Sequence, residues 1–278
     1  MKRARRLGLA GAIFALSALA APEARAADGP KAPGWAFGSV GGEIGLAAAS
    51  AAVPAFYFLP QRRSRWGPFA AHTHHVDAEL ISNIVGGPGG ILFASALGYG
   101  WEYAYLRSSS VEGAPLLAMR ASVIDLESVL LSTGLVQLVK RMSGRCRPWA
   151  WAGSVKGCVS PRDDDHASFP SGHTAPVASI AGARLLIALR SDGAGPIGYR
   201  YAAFGFAEVL SIGAAFARVG AGAHSWEDVS VGWLLGHATG ALVALAHPMV
   251  DAPVIESSRQ AGGALSGAPL FFSWGGQF

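Results

Sequence analysis

Charged side chains are scarce in this chain. Lys, Arg, Asp and Glu make up 14% of its 278 residues, whereas an ordinary soluble domain is about a quarter charged. Hydrophobic residues reach 51%, and the mean hydropathy is +0.33. This composition argues against an ordinary water-soluble surface and favours a membrane protein or an unusually apolar helical one.

An excess of one charge sign is also missing once the N-terminus is set aside. Residues 1–26 hold five basic residues and one acid, and the rest of the chain has 17 residues of each sign. The pI of about 9.3 therefore comes largely from those first residues. Net charge gives no support to a nucleic-acid partner.

The N-terminus has the pattern of an export signal. The basic start MKRARR precedes the apolar stretch LGLAGAIFALSALAA, and Ala24-Arg25-Ala26 fits a small-x-small cleavage site. We expect a cleaved signal peptide over residues 1–26, because the apolar stretch is short for a membrane span. An uncleaved membrane anchor is the alternative.

Sustained strand alternation and internal repeats are both absent from the sequence after residue 26. Long segments rich in Ala, Leu and Gly predict six helices instead, near 37–59, 78–99, 115–139, 174–190, 199–217 and 229–247. We therefore expect an all-α fold, a membrane-embedded bundle of about six core helices. The segment 78–99, interrupted by GGPGG, is the weakest expected span.

The orientation in a membrane is left open by the sequence. A cleaved leader puts the mature N-terminus outside, and three spans then put residues 140–173 inside. Arg62, Arg63 and Arg65 fit a cytoplasmic loop after the first span. An outward-facing 140–173 region requires that one segment does not cross, or that the leader is not cleaved.

The stretch ARVGAGAHSWED, residues 217–228, places three ionisable side chains in an apolar run. An unpaired charge removed from water costs several kcal/mol or more, so each should have a partner. Asp228 lies four residues after His224, and on a helix the two would share one face. Arg218 still requires an anion, from another carboxylate or from a ligand.

Two further clusters complete a possible anion site. KRMSGRCRP, residues 140–148, concentrates four cations, and a solvated loop is its plainer interpretation. SFPSGHTA, residues 168–175, resembles a helix start whose free N–H groups bind anions, and a simple helix cap is the alternative. Together the clusters fit phosphoryl transfer without a metal, with one histidine attacking and the other protonating the leaving group.

The order and spacing of these residues resemble the type 2 phosphatidic acid phosphatase (PAP2) superfamily. The matching pattern is Lys-x6-Arg-Pro, then Pro-Ser-Gly-His, then Arg-x5-His-x3-Asp, within residues 140–228. One departure is Ala217, where the family usually has serine before the arginine. The resemblance implies a helical bundle. Together with the leader pattern, it divides the chain into a signal peptide (1–26), an N-terminal helix and loop (27–77), a phosphatase domain (78–249) and a C-terminal tail (250–278).

The resemblance also implies a role for each matching residue. His224 would attack phosphorus and form a phosphohistidine, His173 would protonate the leaving alkoxide, and Asp228 would orient His224. The remaining matches would bind the phosphate: Lys140, Arg147, Ser171, Gly172 and Arg218. No cofactor and no metal ligand is expected in this site.

Several functions are compatible with this pattern. The first is a phosphatase of the bacterial envelope that acts on lipid phosphates or pyrophosphates, in the inner membrane with a periplasmic active site. A soluble periplasmic acid phosphatase acting on small phosphoesters is the second, and a vanadium-dependent haloperoxidase or a membrane scaffold with a degenerate site are others.

Three other features carry weaker expectations. HTHHVD, residues 72–77, has metal-binding residue types, but we interpret it as a solvated loop. DDDH, residues 163–166, is expected to be a charged loop beside the pocket. Cys146 and Cys158 could form a disulfide after export, or remain two free thiols.

Overall fold

The computed structural model describes residues 29–64, 66–68, 75–153, 156–191 and 195–255. The predicted signal peptide and most of the predicted tail lie outside the described residues. The described residues form seven α-helices: α1 Val40–Ala52, α2 Val76–Val85, α3 Pro88–Ser108, α4 Ala114–Ser143, α5 Thr174–Leu189, α6 Gly198–Gly220 and α7 Trp226–Ala246. A small antiparallel pair joins β1, Lys31–Pro33, to β2, Met249–Asp251. The expected all-α class is confirmed.

Five helical segments of the described chain are long and apolar enough to cross a membrane: Val40–Phe58, Val76–Ser108, Ala114–Ala150, Gly198–Gly220 and Trp226–Ala246. Helix α5 is apolar but shorter. Large hydrophobic side chains on several helices point outward, as lipid-facing surfaces require: Leu80, Ile84, Leu92, Phe93, Met119, Leu126, Phe216, Leu234, Leu242 and Leu245. The chain is therefore a membrane-type helical bundle.

The predicted segment 78–99 forms two helices rather than one. The break comes at Gly86–Gly87, where Pro88 opens α3 in the first-turn position that proline tolerates. A Cβ at Gly87 would lie 2.1 Å from the carbonyl oxygen of Asn83, and one at Gly90 would lie 1.9 Å from that of Val85. Glycine thus allows the tight break. Together α2 and α3 form one candidate span, Val76–Ser108, and this break lies within it.

Contacts between helix ends define two faces of the bundle. Gln61, which follows α1, donates a hydrogen bond of 3.0 Å to the carbonyl of Lys140 near the end of α4. Glu43, near the start of α1, contacts His247 at the end of α7. We call the face that holds residues 144–173 the loop end, and the face where β1 meets β2 the sheet end. Both termini of the described chain lie at the sheet end.

Glycines set the spacing between α5 and α7. A Cβ at Gly236 would lie 2.2 Å from the carbonyl oxygen of Ala175, and one at Gly240 would lie 1.8 Å from that of Ser179. Gly232 lies one turn earlier, against the backbone of Ser171. This small-x3-small row lets the two backbones touch, as in packed membrane helices. It therefore fixes the start of α5 against the start of α7 at the loop end.

Charged residues within the apolar helices face one another in the bundle interior. Arg184 on α5 donates to both carboxylate oxygens of Asp125 on α4, at 2.9 and 2.6 Å. Arg200 on α6 pairs in the same way with both oxygens of Glu102 on α3. We call these four residues the inner ion-pair network. All four are buried, and pairing makes their burial tolerable in a membrane.

The loop between α4 and α5 is closed by a disulfide between Cys146 and Cys158. Of the two alternatives for these residues, the structure has the bridge. The Asp163–His166 segment, a short 3-10 turn, follows the bridged loop and lies beside it. Trp149 Nε1 and Ser160 Oγ both donate to the carboxylate of Asp165, which holds this turn in place.

Candidate active site

The three charged clusters of the sequence meet in one cavity at the loop end. Its volume is about 420 Å³. Five of the predicted site residues line it: Lys140, Arg147, Gly172, His173 and His224. The other lining residues are Tyr57, Gln61, Gln137, Arg141, Asp163, Asp164 and Ala167. Ser171, Arg218 and Asp228 are buried but are not part of this lining.

Lys140 enters the cavity from the last turn of α4. Its ammonium donates a hydrogen bond to the carbonyl oxygen of Ala167, which is a neutral partner. A Cβ on Gly172 would lie 3.4 Å from Cε of Lys140, so the lysine stem passes directly over this glycine. Helix α4 ends at Gly144, whose φ of 60° suits glycine, and the chain turns there towards Arg147.

Arg147 is held by backbone carbonyls and by one acid. It donates from Nη1 to the carbonyl of Ala223 at 3.2 Å and from Nε to the carbonyl of Asp164 at 2.9 Å. Its Nη2 lies 3.1 Å from Oδ1 of Asp164. Partial burial opposes ionisation of Asp164, but Arg147 and Lys140 nevertheless hold the pKa of this carboxyl below its usual value. An ionised carboxylate therefore occupies part of the cationic wall.

Arg218 forms no ion pair among the described residues, and Glu79 and Asp164 act on it only at longer range. From the last turn of α6, its Nη1 donates to Oγ of Ser82 at 3.1 Å and to Oδ1 of Asn83 at 3.3 Å. Both partners are neutral and belong to α2, and Nε of Arg218 has no hydrogen-bond partner. Within the part of the chain that the structure describes, no carboxylate oxygen lies within 4.0 Å of this guanidinium. The anion expected for Arg218 is thus not a protein side chain described here.

His224 lies in the short connection between α6 and α7 and is 1% exposed. Its backbone N–H donates to the carbonyl of Arg218 at 3.3 Å, which places the ring beside the cations. Burial lowers the pKa of His224 well below its usual value, and the positive charges of Lys140, Arg147 and Arg218 lower it further. The imidazole is therefore neutral and keeps a lone pair for attack.

His224 and Asp228 lie close together, as predicted, but no hydrogen bond joins their side chains. Nδ1 of His224 lies 3.7 Å from Oδ2 of Asp228, and it has no hydrogen-bond partner among the described residues. Helix α7 begins only at Trp226, so His224 precedes the helix on which the spacing argument relied. Asp228 instead closes a capping box by accepting from the N–H of Ser225 at 2.8 Å.

Two residues not predicted to act here saturate the Asp228 carboxylate. Arg145 Nη1 lies 2.6 Å from Oδ1, and Ser168 Oγ donates to Oδ2 at 2.7 Å. In the sequence, Arg145 is only one cation of the 140–148 cluster. Its guanidinium also lies over the ring of Trp66, 4.8 Å from the centroid. No local signal in the sequence distinguishes Arg145, which supports Asp228, from Arg147, which faces the cavity.

The SFPSGHTA stretch forms the expected helix start. Helix α5 begins at Thr174, and Oγ of Ser171 accepts from the hydroxyl and N–H of Thr174 at 3.1 and 3.4 Å. The N–H of Ser171 donates to the backbone carbonyl of Asp228 at 2.9 Å, which ties this start to α7. Burial and the nearby Arg218 and other cations lower the pKa of His173 to about 3.

Residues 122–251 match the family model of the PAP2 superfamily. This region is a PAP2 superfamily domain. The matched region starts within α4 and ends at β2, and it contains every residue predicted for the site. Searches of curated proteins and of solved structures gave no significant match. Since PAP2 proteins are generally phosphatases, membership together with the apolar helices indicates a phosphatase-type activity in a membrane-associated protein.

The PAP2 site of this chain also includes α2, which the sequence motifs do not contain. Ser82 and Asn83 hold Arg218 from this helix, and Gly86 packs where a Cβ would lie 2.8 Å from the carbonyl oxygen of His173. Only His75, Val76 and Asp77 of the HTHHVD stretch lie within the described residues. The DDDH segment does lie beside the cavity, as expected, through Asp163 and Asp164.

Proposed function

We propose that this protein is a metal-independent phosphatase that hydrolyses phosphate monoesters or pyrophosphates of lipids through a phosphohistidine. The observation that carries the proposal is the meeting of two neutral histidines with Lys140 and Arg147 in one cavity. Arg218 lies behind them with neutral partners only. A bound phosphate supplies the negative charge that these cations lack.

Substrate binding exchanges one anion for another. The phosphate oxygens accept from Lys140, Arg147 and Arg218, and the backbone N–H of Gly172 adds a donor near the start of α5. The carboxylate of Asp164 must leave Nη2 of Arg147 before a phosphate can take that position. Because Asp164 is exposed and carried on a short turn, it can swing into water at small cost.

The chemical step begins with His224. Its Nδ1 faces Asp228, so Nε2 attacks phosphorus, and the bond between phosphorus and the leaving oxygen breaks. His173 gives its proton to the leaving alkoxide. A water molecule then attacks the phosphohistidine, His173 takes the proton of that water, and inorganic phosphate and free His224 result. Asp228 stabilises the positive charge that develops on the His224 ring.

The proton on His173 depends on the substrate. In the empty cavity the pKa of His173 is about 3, because burial and three cations oppose a further positive charge. A phosphate dianion offsets the charges of Lys140, Arg147 and Arg218. This raises the pKa of His173, so that the His173 ring is protonated only when a phosphate is bound. Such coupling suits a group that must donate a proton late in the reaction.

The outward apolar faces of the helices support a lipid substrate over a soluble periplasmic enzyme. A phosphatase for small esters has no need for exposed leucines and phenylalanines along α3, α4 and α7. A membrane bundle with its cavity at one end can take a lipid headgroup while the acyl chains remain in the bilayer.

We place the loop end in the periplasm, and the disulfide between Cys146 and Cys158 supports this orientation because bridges persist in oxidising compartments. The sheet end, and with it residue 255, then faces the cytoplasm. Cleavage of the predicted signal peptide would favour the opposite orientation, because export of the leader delivers residue 27 to the periplasm. A green fluorescent protein fused after residue 278 should fluoresce, and an alkaline phosphatase fused there should be inactive. Active alkaline phosphatase in that fusion would reverse the orientation.

The function is tested by phosphate release from a lipid phosphate and from p-nitrophenyl phosphate, on detergent-purified protein with EDTA present. We expect release from the lipid phosphate, and at least about a thousandfold loss in His224→Gln. His237→Gln is the matched control, because His237 pairs with Glu208 outside the cavity. Preference for the small ester would favour a soluble-type acid phosphatase, and vanadate-dependent bromination without phosphate release would favour a haloperoxidase.

A further inference from the structure

A second cluster of ionisable side chains lies at the sheet end, in the bundle but far from the cavity. It consists of Glu43 on α1, Glu127 on α4 and His247 at the end of α7. The 21 residues of α7 separate His247 from His224, which corresponds to about 30 Å along a helix. We call these three residues the sheet-end cluster. It has no part in the proposed phosphatase chemistry.

The ligand atoms of the sheet-end cluster converge on one point. Nε2 of His247 lies 3.1 Å from Oε2 of Glu43 and 3.5 Å from Oε2 of Glu127. The three atoms all lie within 4.8 Å of one another. Ligands about 2.0–2.2 Å from a tetrahedral metal ion are separated from each other by about 3.3–3.5 Å. The first two separations bracket that value.

The other ring nitrogen of His247 is engaged in the way that metal-binding histidines require. Nδ1 lies 2.8 Å from the backbone carbonyl oxygen of Val243 and donates its proton there. This fixes the tautomer in which Nε2 carries the lone pair. An imidazole lone pair that faces two ionised carboxylates is repelled unless a proton or a metal cation lies between them.

Among the described residues, Glu127 has no hydrogen-bond partner. It is 2% exposed, and both of its carboxylate oxygens are buried without a hydrogen bond among the described residues. Glu43 accepts one hydrogen bond from the backbone N–H of Ala36, at 2.7 Å. No described lysine or arginine lies within 4.0 Å of either carboxylate. With both carboxylates ionised, even a protonated His247 would leave the cluster with a net charge of −1.

A neighbouring pair shows how the chain satisfies a similar group without a metal. Glu208 lies 2.9 Å from Nε2 of His237, as Glu43 does from His247. Its other oxygen accepts from Nε1 of Trp233 at 3.0 Å. Ser211 Oγ also donates to Oε2 of Glu208 at 3.4 Å, so one carboxylate, one histidine and neutral donors suffice there. The sheet-end cluster has a second carboxylate in place of the neutral donors.

We propose that the sheet-end cluster binds one divalent metal ion of the zinc class through Oε2 of Glu43, Oε2 of Glu127 and Nε2 of His247. A dication cancels the two carboxylate charges and accepts the lone pair of a neutral imidazole. One nitrogen and two oxygen ligands suit Zn²⁺, with water in the remaining position. The ion links α1, α4 and the end of α7, and so anchors α1 to the bundle. Its role is structural and is independent of the proposed phosphatase reaction.

The test is the metal content and Zn²⁺ affinity of the tag-free full-length chain in detergent. The chain is purified without chelator, dialysed, and analysed by inductively coupled plasma mass spectrometry. We expect about one Zn²⁺ per wild-type chain, restored by added Zn²⁺ after EDTA treatment and accompanied by a rise in the thermal midpoint. Co²⁺ in place of Zn²⁺ should give the visible absorption of a tetrahedral site.

Matched variants assign the ion to this cluster. Glu127→Gln preserves shape and should weaken Zn²⁺ binding at least about tenfold. Glu208→Gln alters the similar metal-free pair and should leave Zn²⁺ binding unchanged. If Glu127→Gln does not fold, Glu43→Gln at the cluster edge replaces it. A wild-type chain that takes up no Zn²⁺, Mn²⁺ or Fe²⁺, or equal Zn²⁺ affinity in the wild type and the Glu127 or Glu43 variant, would overturn the proposal.

Discussion

Arginines of the inner ion-pair network and the arginine behind the cavity differ in their partners, although both kinds are buried in apolar helices. Arg184 has a bidentate carboxylate partner in Asp125, and Arg200 has one in Glu102. Among the described residues, the hydrogen-bond partners of Arg218 are a serine hydroxyl and an amide oxygen. Burial is similar in the two places, so burial alone does not identify a functional charge.

This difference indicates which buried cations are available to bind an anionic ligand. In the inner ion-pair network two cations meet two anions, and the helices α3 to α6 are joined without any external group. At the loop end, no carboxylate among the described residues forms an ion pair with Lys140 or Arg218, and Arg147 pairs there with the exposed Asp164. A buried cation without a fixed anion costs stability, and a phosphate that binds there recovers that cost. We therefore expect substitutions in the two groups to change different properties.

The largest expected effect is on stability, in the inner ion-pair network. Arg184→Gln leaves Asp125 as an uncompensated buried charge, and we expect a loss of about 3–5 kcal/mol in the free energy of unfolding. The fraction that folds should keep its phosphatase activity within about threefold. Adding Asp125→Asn should restore much of the stability, since the stranded charge is removed. Unchanged thermal unfolding in Arg184→Gln would contradict this interpretation.

Arg218→Gln should have the opposite effect to Arg184→Gln, because activity rather than stability should fall. It removes a cation that has only neutral partners, so the thermal midpoint without ligand should stay the same or rise. Phosphate release, measured as kcat/KM, should fall by about 100- to 1,000-fold, because a charged donor to the transition state is lost. A fall in stability as large as that of Arg184→Gln, with activity retained, would show that Arg218 is structural instead.

The pH dependence of stability follows from the two cavity histidines. Their pKa values are lowered in the folded chain, so unfolding takes up protons below the unfolded value of about 6.5. In phosphate-free buffer the thermal midpoint should therefore fall between pH 7 and pH 5, by about 2–5 °C. His173→Asn should reduce this slope, and inorganic phosphate should oppose it. A midpoint that does not change over this range contradicts the proposed environment.

The smallest expected effect concerns Asp164. Asp164→Asn removes the carboxylate that competes with phosphate for Arg147, so KM should decrease by about two- to fivefold, with little change in kcat. Asp163→Asn is the matched control, because Asp163 pairs with Arg63, which is half exposed. Equal KM changes in both variants would indicate a general effect of loop charge rather than competition at Arg147.

The sequence predicted correctly those features that depend on one short segment, such as the position of a helix. The apolar segments predicted the helices, and SFPSGHTA predicted the start of α5 at the correct place. The sequence did not decide whether the segment that joins His224 to Asp228 is helical. Because α7 begins at Trp226, His224 lies outside the helix and the two residues do not share a helix face, although their side chains are 3.7 Å apart.

What the sequence by itself determined is the class of the fold and the set of chemical groups. Low charge and long apolar segments require a helical bundle with lipid-facing surfaces, and the motif spacing already contains the cations and histidines of a PAP2 site. Only the tertiary structure decided which charges are paired. Arg184 finds Asp125 across 59 residues, and Arg218 meets Ser82 across 136. Such pairing depends on how helices distant in sequence pack together, which no local pattern records.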